Sequence, residues 1–230
     1  MRKLRPVVDE LSLDKSVRVI AFTGAGKAFS AGGDLKKYQA LMRDEEGFRD
    51  FLNDGRALFR SIELASQPVI ALINGFAVAG GLEFLLACDF AYASESARIG
   101  DGHVNFGQVG GGGSHVRLPR RILATRAREL LFTGKLLTAQ EAFEWGLVNR
   151  VVPDGKLVDA ALEFANIVVE KSPLGIRIIK RLLNEGLNLD EEAMAFLEIQ
   201  MVHHYALTSY DCHEGLSAFA EKRKPKFKGR

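Results

Sequence analysis

Short apolar runs alternate with longer amphipathic stretches through the first half of the chain. The run at 68–73 is almost wholly apolar and rich in β-branched residues, which predicts a strand buried on both faces. Strands are also predicted at 17–22 and at 89–93. Helices are predicted at 4–11, with Pro6 in the first turn, and at 48–62, where apolar residues recur at helical spacing. This alternation predicts an α/β fold.

Beyond Thr133 the pattern becomes helical. The last two predicted helices are joined around Gly186 and Asn188. The spacing of apolar residues predicts helices at 138–145, 156–171, 174–187 and 190–207. Four apolar residues of the last helix are interpreted as core or subunit-contact residues: Phe196, Ile199, Met201 and Val202.

The segment from Asn74 to Glu83 contains the most informative pattern. It places the pair Gly80-Gly81 where a buried helix, predicted at 80–87, begins, and it sets Glu83 in the first turn of that helix. The N–H groups at a helix N-terminus have no intrahelical acceptor and can face an oxygen that gains negative charge during a reaction. A carboxylate in an otherwise apolar helix is costly unless it is hydrogen-bonded or functional. Glu83 is therefore a candidate catalytic residue.

A second glycine-rich turn, at 27–35, follows the strand at 17–22. The two turns together resemble the paired motifs of the enoyl-CoA hydratase/isomerase (crotonase) family. The resemblance covers nearly the whole chain, through Ala87-Cys88-Asp89, 97–100, the glycine run 110–113, 117–119, Thr133-Gly134, and the stretches 214–219 and 221–225.

The resemblance implies a crotonase-like spiral of repeated ββα turns followed by a C-terminal helical region. It implies an oxyanion hole made by the N–H groups of Ala31 and Gly80, and it implies that Glu83 binds and activates water. The acyl-CoA thioester is expected to contact the first turn and the helix start, at Ala31, Gly32, Gly33, Asp34, Leu35 and Gly80. No cofactor is expected, because coenzyme A is part of the substrate.

The expected division places the spiral core at 1–188 and a trimerisation region with a basic tail at 189–230. A homotrimer or a dimer of trimers is expected from the same resemblance. Family members usually open with a β-hairpin that helps to hold CoA, and this chain starts at the helix that follows it.

His103 occupies the position at which hydratases and many isomerases of this family have a second glutamate. Histidine exchanges a proton near neutral pH, so His103 is the second candidate catalytic residue. Asp101 lies two residues away, where it could orient the imidazole or serve the turn of a glycine-flanked loop.

Composition limits the function classes. Apolar runs are far shorter than the roughly 18 residues of a spanning helix, the N-terminus has no signal-peptide pattern, and neither Cys88 nor Cys212 lies in a C-x-x-C pair. A cytoplasmic protein without a membrane partner is expected.

Six basic residues and no acid lie at 222–230, which leaves a net charge of −4 elsewhere. This tail is either a solvated terminus or a partner for the phosphates of CoA; without a recognisable module it does not indicate nucleic-acid binding.

Several short motifs match known functional patterns only in part. Gly24-Ala25-Gly26 lacks the third glycine of a dinucleotide fingerprint, and Gly26-Lys27 lacks the remaining residues of a P-loop. No serine lies in a G-x-S-x-G elbow, and the histidines lack zinc-site spacing, so no metal is expected. The run 110–113 could cap a helix and meet a phosphate, or could serve close packing alone.

The leading hypothesis is an enoyl-CoA hydratase-like enzyme that adds water to a 2-enoyl-CoA through an oxyanion-stabilised thioester enolate. The alternatives are another crotonase-type reaction (isomerisation, thioester hydrolysis or decarboxylation) and a catalytically weak acyl-CoA-binding protein. Fold resemblance alone does not choose among them.

Overall fold

A computed structural model describes residues 2–230. The strands are β1 (Ile20–Thr23), β2 (Ala28–Ser30), β3 (Val69–Ile73), β4 (Phe76–Val78), β5 (Phe90–Ser94), β6 (Arg98–Gly100), β7 (Leu137–Thr138) and β8 (Arg150–Val152). The helices are α1 (Leu4–Leu13), α2 (Leu35–Leu41), α3 (Glu45–Leu64), α4 (Gly80–Ala87), α5 (Ser114–Arg121), α6 (Ala124–Thr133), α7 (Ala139–Glu144), α8 (Leu157–Val168), α9 (Pro173–Gly186), α10 (Glu191–Thr208) and α11 (Tyr210–Ala220). A short 3-10 helix spans His103–Phe106.

The strands form two four-stranded sheets. The first has the order β1-β3-β5-β8 and is parallel throughout. The second has the order β2-β4-β6-β7, with only the β6–β7 pair antiparallel. Successive strands β1 to β6 alternate between the sheets, and helices follow each pair. The chain therefore winds as repeated ββα turns, which confirms the predicted spiral α/β fold.

Strand β3 lies at the centre of the packing. All five of its residues are buried. Ala71 and Ile73 face the main core, which includes residues of α3 and α4, whereas Ile70 and Leu72 face a second cluster with α8. Parallel sheets covered on both faces require such apolar strands.

Several predicted elements are confirmed with small shifts in their ends. The predictions at 69–73 and 80–87 match β3 and α4, and the helices predicted at 4–11 and 48–62 correspond to α1 and α3. The strand predicted at 17–22 begins only at Ile20 and ends at Thr23. The sequence pattern does not predict eight further elements: the short strands β2, β4, β6, β7 and β8 and the helices α2, α6 and α11.

The C-terminal helices are fixed to the core by a buried cation. Lys180 of α9 is 8% exposed, and its Nζ contacts Asp89 Oδ2 at 2.8 Å and donates to the carbonyls of Gln67 and Ile62 at 3.0 and 3.2 Å. Helices α10 and α11 pack on α9 and on each other. The domain boundary at 188, between α9 and α10, stays a prediction.

The basic tail is held against α11 through its backbone. Asp211 is 1% exposed, and its Oδ1 accepts from the N–H groups of Lys228 and Gly229 at 2.6 and 3.1 Å. Glu214 accepts from the N–H of Lys226 at 2.7 Å and forms a two-point contact with Arg223. The side chain of Lys224 is 92% exposed and pairs only loosely with Glu170, at 3.5 Å.

No helix within residues 2–230 is both long and apolar enough to cross a membrane.

Candidate active site

The two predicted glycine turns contact each other. The first turn follows β2, and its Gly32 has a φ of +90°. A Cβ on Gly32 would lie 3.0 Å from Ala79 Cβ and 3.7 Å from the Gly80 nitrogen, in the second turn. The structure thus brings the backbone beside Ala31 up to the start of α4, as the predicted oxyanion hole requires.

Backbone strain lies at the point where α4 begins. Ala79 has φ 55° and ψ −117°, a region that residues other than glycine rarely adopt. Its N–H donates to the Gly100 carbonyl at 3.1 Å and its carbonyl accepts from the Glu83 N–H at 3.1 Å. These two bonds hold the peptide that leads into Gly80, whose N–H has no intrahelical acceptor because it is the first residue of the helix.

Asp34 and Leu35, predicted to contact substrate, have clear structural positions. Asp34 caps α2, because its Oδ1 accepts from the N–H groups of Lys36 and Lys37 at 3.0 and 3.3 Å. Leu35 is the first residue of that helix and is 52% exposed. Contacts of the substrate with these two residues, and with Gly33, stay predictions.

Glu83 lies in the first turn of α4 and is 5% exposed. Its Oε1 accepts a 2.6 Å hydrogen bond from the N–H of Gly112. Burial raises the pKa of Glu83, while the Gly112 N–H and the nearby His103 oppose that rise. The result is a carboxylate that is more basic than an exposed one and is held in one position, as a general base should be.

His103 begins the 3-10 helix, directly after the left-handed Gly102. Its Nδ1 lies 2.8 Å from Asp101 Oδ1, and its backbone N–H donates to the same oxygen at 3.2 Å. The hydrogen bond to Asp101 raises the pKa of His103, against the effect of burial. Burial favours a high pKa for Asp101, but the hydrogen bond and charge of His103 outweigh it, so the pKa of Asp101 is lowered.

The glycine run brings these groups to one place. A Cβ on Gly110 would lie 3.0 Å from Glu83 Oε1, 3.1 Å from His103 Cε1 and 2.8 Å from Ser114 Oγ. A Cβ on Gly112 would lie 2.4 Å from Glu83 Oε2. The run therefore packs its backbone against the Glu83 carboxylate, which is the close-packing role that the sequence permits.

Three residues near Glu83 were not singled out from the sequence. Burial and, to a smaller extent, the nearby charge of Glu83 raise the pKa of Tyr38 of α2. Phe84 packs edge-on against Phe22, Phe29 and Phe59 at centroid distances of 5.0, 5.6 and 6.1 Å. Ser114 is fully buried at the start of α5. Only Ser114 had a local signal, as the first residue after a glycine run that could cap a helix.

A cavity of about 1080 Å³ opens on the other side of the glycine run, between α3, α5 and α9. Glu83 and His103 do not line it; its walls include Arg56, Arg120, Ile179 and Leu183. Within residues 2–230, no group of three or more His, Cys, Asp or Glu side chains is arranged to hold a metal ion.

The chain is similar to known proteins over nearly its whole length. The family model described as enoyl-CoA hydratase/isomerase matches residues 1–230. The crotonyl-CoA hydratase of Syntrophomonas wolfei subsp. wolfei is 36% identical over 226 residues, which cover 98% of this chain and 86% of that protein. The carnitinyl-CoA dehydratase of Shigella flexneri is 39% identical over 221 residues, covering 94% of this chain and 84% of that protein.

Among solved structures, an enoyl-CoA hydratase from Bacillus anthracis has a TM-score of 0.93 at 39% identity and covers 100% of this chain and 88% of its own. The chain belongs to the enoyl-CoA hydratase/isomerase family and is an enzyme of that type.

Proposed function

We propose that this enzyme adds water reversibly across the C2–C3 double bond of a short-chain 2-enoyl-CoA, giving a 3-hydroxyacyl-CoA. The observation that supports this most strongly is the convergence of Glu83 Oε1 and His103 Cε1 on one point beside Gly110. Hydration needs a base for water and an acid for C2, and these two side chains provide one of each. The names of the two relatives above also describe addition or removal of water on an acyl-CoA.

In the proposed mechanism, the N–H groups of Ala31 and Gly80 bind the thioester oxygen. Glu83 removes a proton from water as the water oxygen bonds to C3, and the C2–C3 π electrons move to form the thioester enolate. His103 then donates its proton to C2, which restores the thioester carbonyl. The enolate oxygen is stabilised by both N–H groups, and loss of one such donor typically costs about 2.7–4 kcal/mol of barrier.

The protonation states of Glu83 and His103 before and after hydration explain why the two residues act together. Hydration begins with Glu83 ionised and His103 protonated and ends with Glu83 protonated and His103 neutral. One proton is shared by the pair throughout, so an exchange between the two residues resets the site. We propose that no metal or organic cofactor takes part beyond the CoA of the substrate.

A trimer or dimer of trimers is proposed as the assembly. No residue of α10 is buried in the single chain, and Phe196 and Ile199 are 65% and 62% exposed. Exposed large apolar residues on one helix support a subunit contact over a core role. We propose a cytoplasmic location, in which Cys88 and Cys212 stay reduced thiols, and a role for the tail's basic side chains near the CoA phosphates.

The test uses purified protein, a panel of enoyl-, 3-hydroxyacyl- and 3-ketoacyl-CoA thioesters, and product analysis by mass spectrometry. Hydration of a short enoyl-CoA is expected, and Glu83→Gln should lower kcat by at least ~100-fold while acyl-CoA binding is retained. A wild-type rate in Glu83→Gln would exclude the role proposed for this residue. Turnover of 3-ketoacyl thioesters alone would point instead to a carbon–carbon cleavage.

A further inference from the structure

His103 and Asp101 form a pair with a defined geometry. The Nδ1 of His103 lies 2.8 Å from Asp101 Oδ1, and the ring's other nitrogen, Nε2, has no hydrogen-bond partner within residues 2–230. The side chain of His103 is 19% exposed and that of Asp101 is 4% exposed. An imidazole held in this way has Nδ1–H as its donor to the carboxylate and leaves Nε2 as the atom that can reach a substrate.

The surroundings of Asp101 contain no other compensating charge. His103 is its only salt-bridge partner in the described part of the chain. Its Oδ2 is buried, and the neutral hydroxyl of buried Ser114, in the helix that follows the glycine run, helps to lower the pKa of Asp101 but supplies no charge. A buried carboxylate with no Lys or Arg partner is costly, so its presence beside His103 calls for a reason other than stability.

We propose that Asp101 is a positioning residue that makes the Asp101–His103 pair equivalent to one carboxyl group. The proposal rests on the proton transfer proposed above for His103. With His103 protonated the pair has no net charge, and with His103 neutral it has a charge of −1. A single glutamate has the same two charge states. Asp101 therefore offsets the positive charge that a histidine would otherwise add beside Glu83 and the thioester.

The first test removes the charge of Asp101 and keeps its shape. Asp101→Asn should lower kcat by at least ~10-fold with little change in KM, because the imidazole loses the carboxylate that fixes its tautomer and orientation. The alkaline limb of the kcat/KM profile should also move to lower pH, because the anion that favours the imidazolium is gone. The titratable groups facing this site are Asp101 and His103 themselves, Glu83 of α4, and Tyr38 of α2, which faces Glu83.

A matched control perturbs the same 3-10 helix without touching the pair. Asn105 donates from Nδ2 to the Gly134 carbonyl at 2.9 Å. Asn105→Ala should leave the alkaline limb where it is in the wild type. A purely structural role of Asp101 would make both variants behave alike.

In the second test, Asp101→Asn is expected to raise activity instead of lowering it, because residue 103 is changed as well. His103→Glu alone would set a second carboxylate against buried Asp101, and the repulsion should leave the enzyme poorly active. Adding Asp101→Asn removes that repulsion, so the double variant should hydrate crotonyl-CoA at least ~10-fold faster than His103→Glu. If Asp101→Asn lowers activity equally in both backgrounds, the proposal is overturned.

The third test needs no variant at position 101 and decides the matter if Asp101→Asn does not fold. In protein labelled with ¹⁵N-histidine, neutral His103 should have its proton on Nδ1, and His103→Gln identifies its signal among the five histidines. A proton on Nε2 instead would overturn the proposal.

Two variants distinguish an error in the role proposed for Asp101 from an error in the proposed function. If His103→Gln hydrates at the wild-type rate, the proton transfer proposed for His103 is wrong, and the role of Asp101 falls with it. If His103→Gln is inactive while folded Asp101→Asn keeps the wild-type kcat and pH profile, only the role of Asp101 is overturned.

Discussion

The backbone N–H of Gly112 donates a 2.6 Å hydrogen bond to Oε1 of Glu83, so a residue with no side chain fixes the carboxylate of the proposed base. The bond joins the start of α4 to the loop before α5. It also opposes the rise in the pKa of Glu83 that burial causes. The loop therefore sets both the position and the proton affinity of the proposed base.

Gly112→Ala should abolish most activity because the new Cβ would lie 2.4 Å from Glu83 Oε2 and 2.6 Å from the Phe59 ring. Displacement of the base by such a contact should cost at least ~100-fold in kcat. Gly111→Ala is the control, since its Cβ would meet only the tip of Leu52, a flexible side chain. Steady-state hydration of crotonyl-CoA measures both, and equal rates in the two variants would contradict the packing described here.

The pH dependence of kcat/KM should be bell-shaped in both reaction directions, because either direction needs the Glu83–His103 pair to hold one proton. Activity should fall at low pH as Glu83 becomes protonated, and this limb should lie above pH 4.5 because burial raises the pKa of Glu83 from that ordinary value. Activity should fall at high pH as His103 loses its proton, and this limb should lie above pH 6.5 because Asp101 raises the pKa of His103 from that ordinary value. The two limbs report the pair as a unit. A rate that stays constant through the alkaline range would exclude His103 as the proton donor.

Lys180→Met should destabilise the fold by about 3 kcal/mol, because it leaves Asp89 and two carbonyls without their buried cation. Arg181→Met, the neighbouring position on α9, removes an exposed pair with Glu185 and should cost less than about 1 kcal/mol. Urea unfolding of both variants gives the difference. Equal free energies of unfolding would show that Lys180 does not anchor α9.

The assembly should have three or six times the 25.3 kDa mass of the chain in sedimentation equilibrium at micromolar concentration. Replacing Phe196 and Ile199 together by serine should shift the mass toward the monomer, because both side chains are exposed on α10. Leu13→Ser, at an 83% exposed position on α1, should leave the assembly unchanged. A wild-type monomer would contradict the proposed trimer.

The elements that the sequence predicts well are those with a strong local pattern. Strand β3 is a five-residue apolar run between Pro68 and Asn74, and α4 starts at a glycine pair, so both have clear ends. Strands β2, β4 and β6 have three residues each, which is too short for a period of two to be recognised. Their pairing depends on contacts between distant parts of the chain, which no local pattern contains.

The site residues also differ in how far a local sequence pattern reveals them. Glu83 is visible in the sequence as a lone acid in an apolar helix, whereas the resemblance to a family was needed to select Ala31, Gly80 and His103. The contact of Gly110 and Gly112 with Glu83 is hidden, because a glycine run is equally consistent with a turn, a phosphate site or close packing. The Asp101–His103 hydrogen bond depends on the left-handed conformation of Gly102 between them, whereas the sequence is equally consistent with Asp101 serving the turn alone.

Addition of water to an enoyl-CoA leaves the oxygen of the water on C3, and an isotope measurement detects it. Wild-type protein is incubated with crotonyl-CoA in H₂¹⁸O, and the intact thioester product is analysed by mass spectrometry with fragmentation. We predict a 3-hydroxybutyryl-CoA with one ¹⁸O on C3, formed at least ~100-fold more slowly by Glu83→Gln. A thioester of unchanged mass with a shifted double bond, or release of free CoA with ¹⁸O in the acid, would contradict hydration as the reaction of this enzyme.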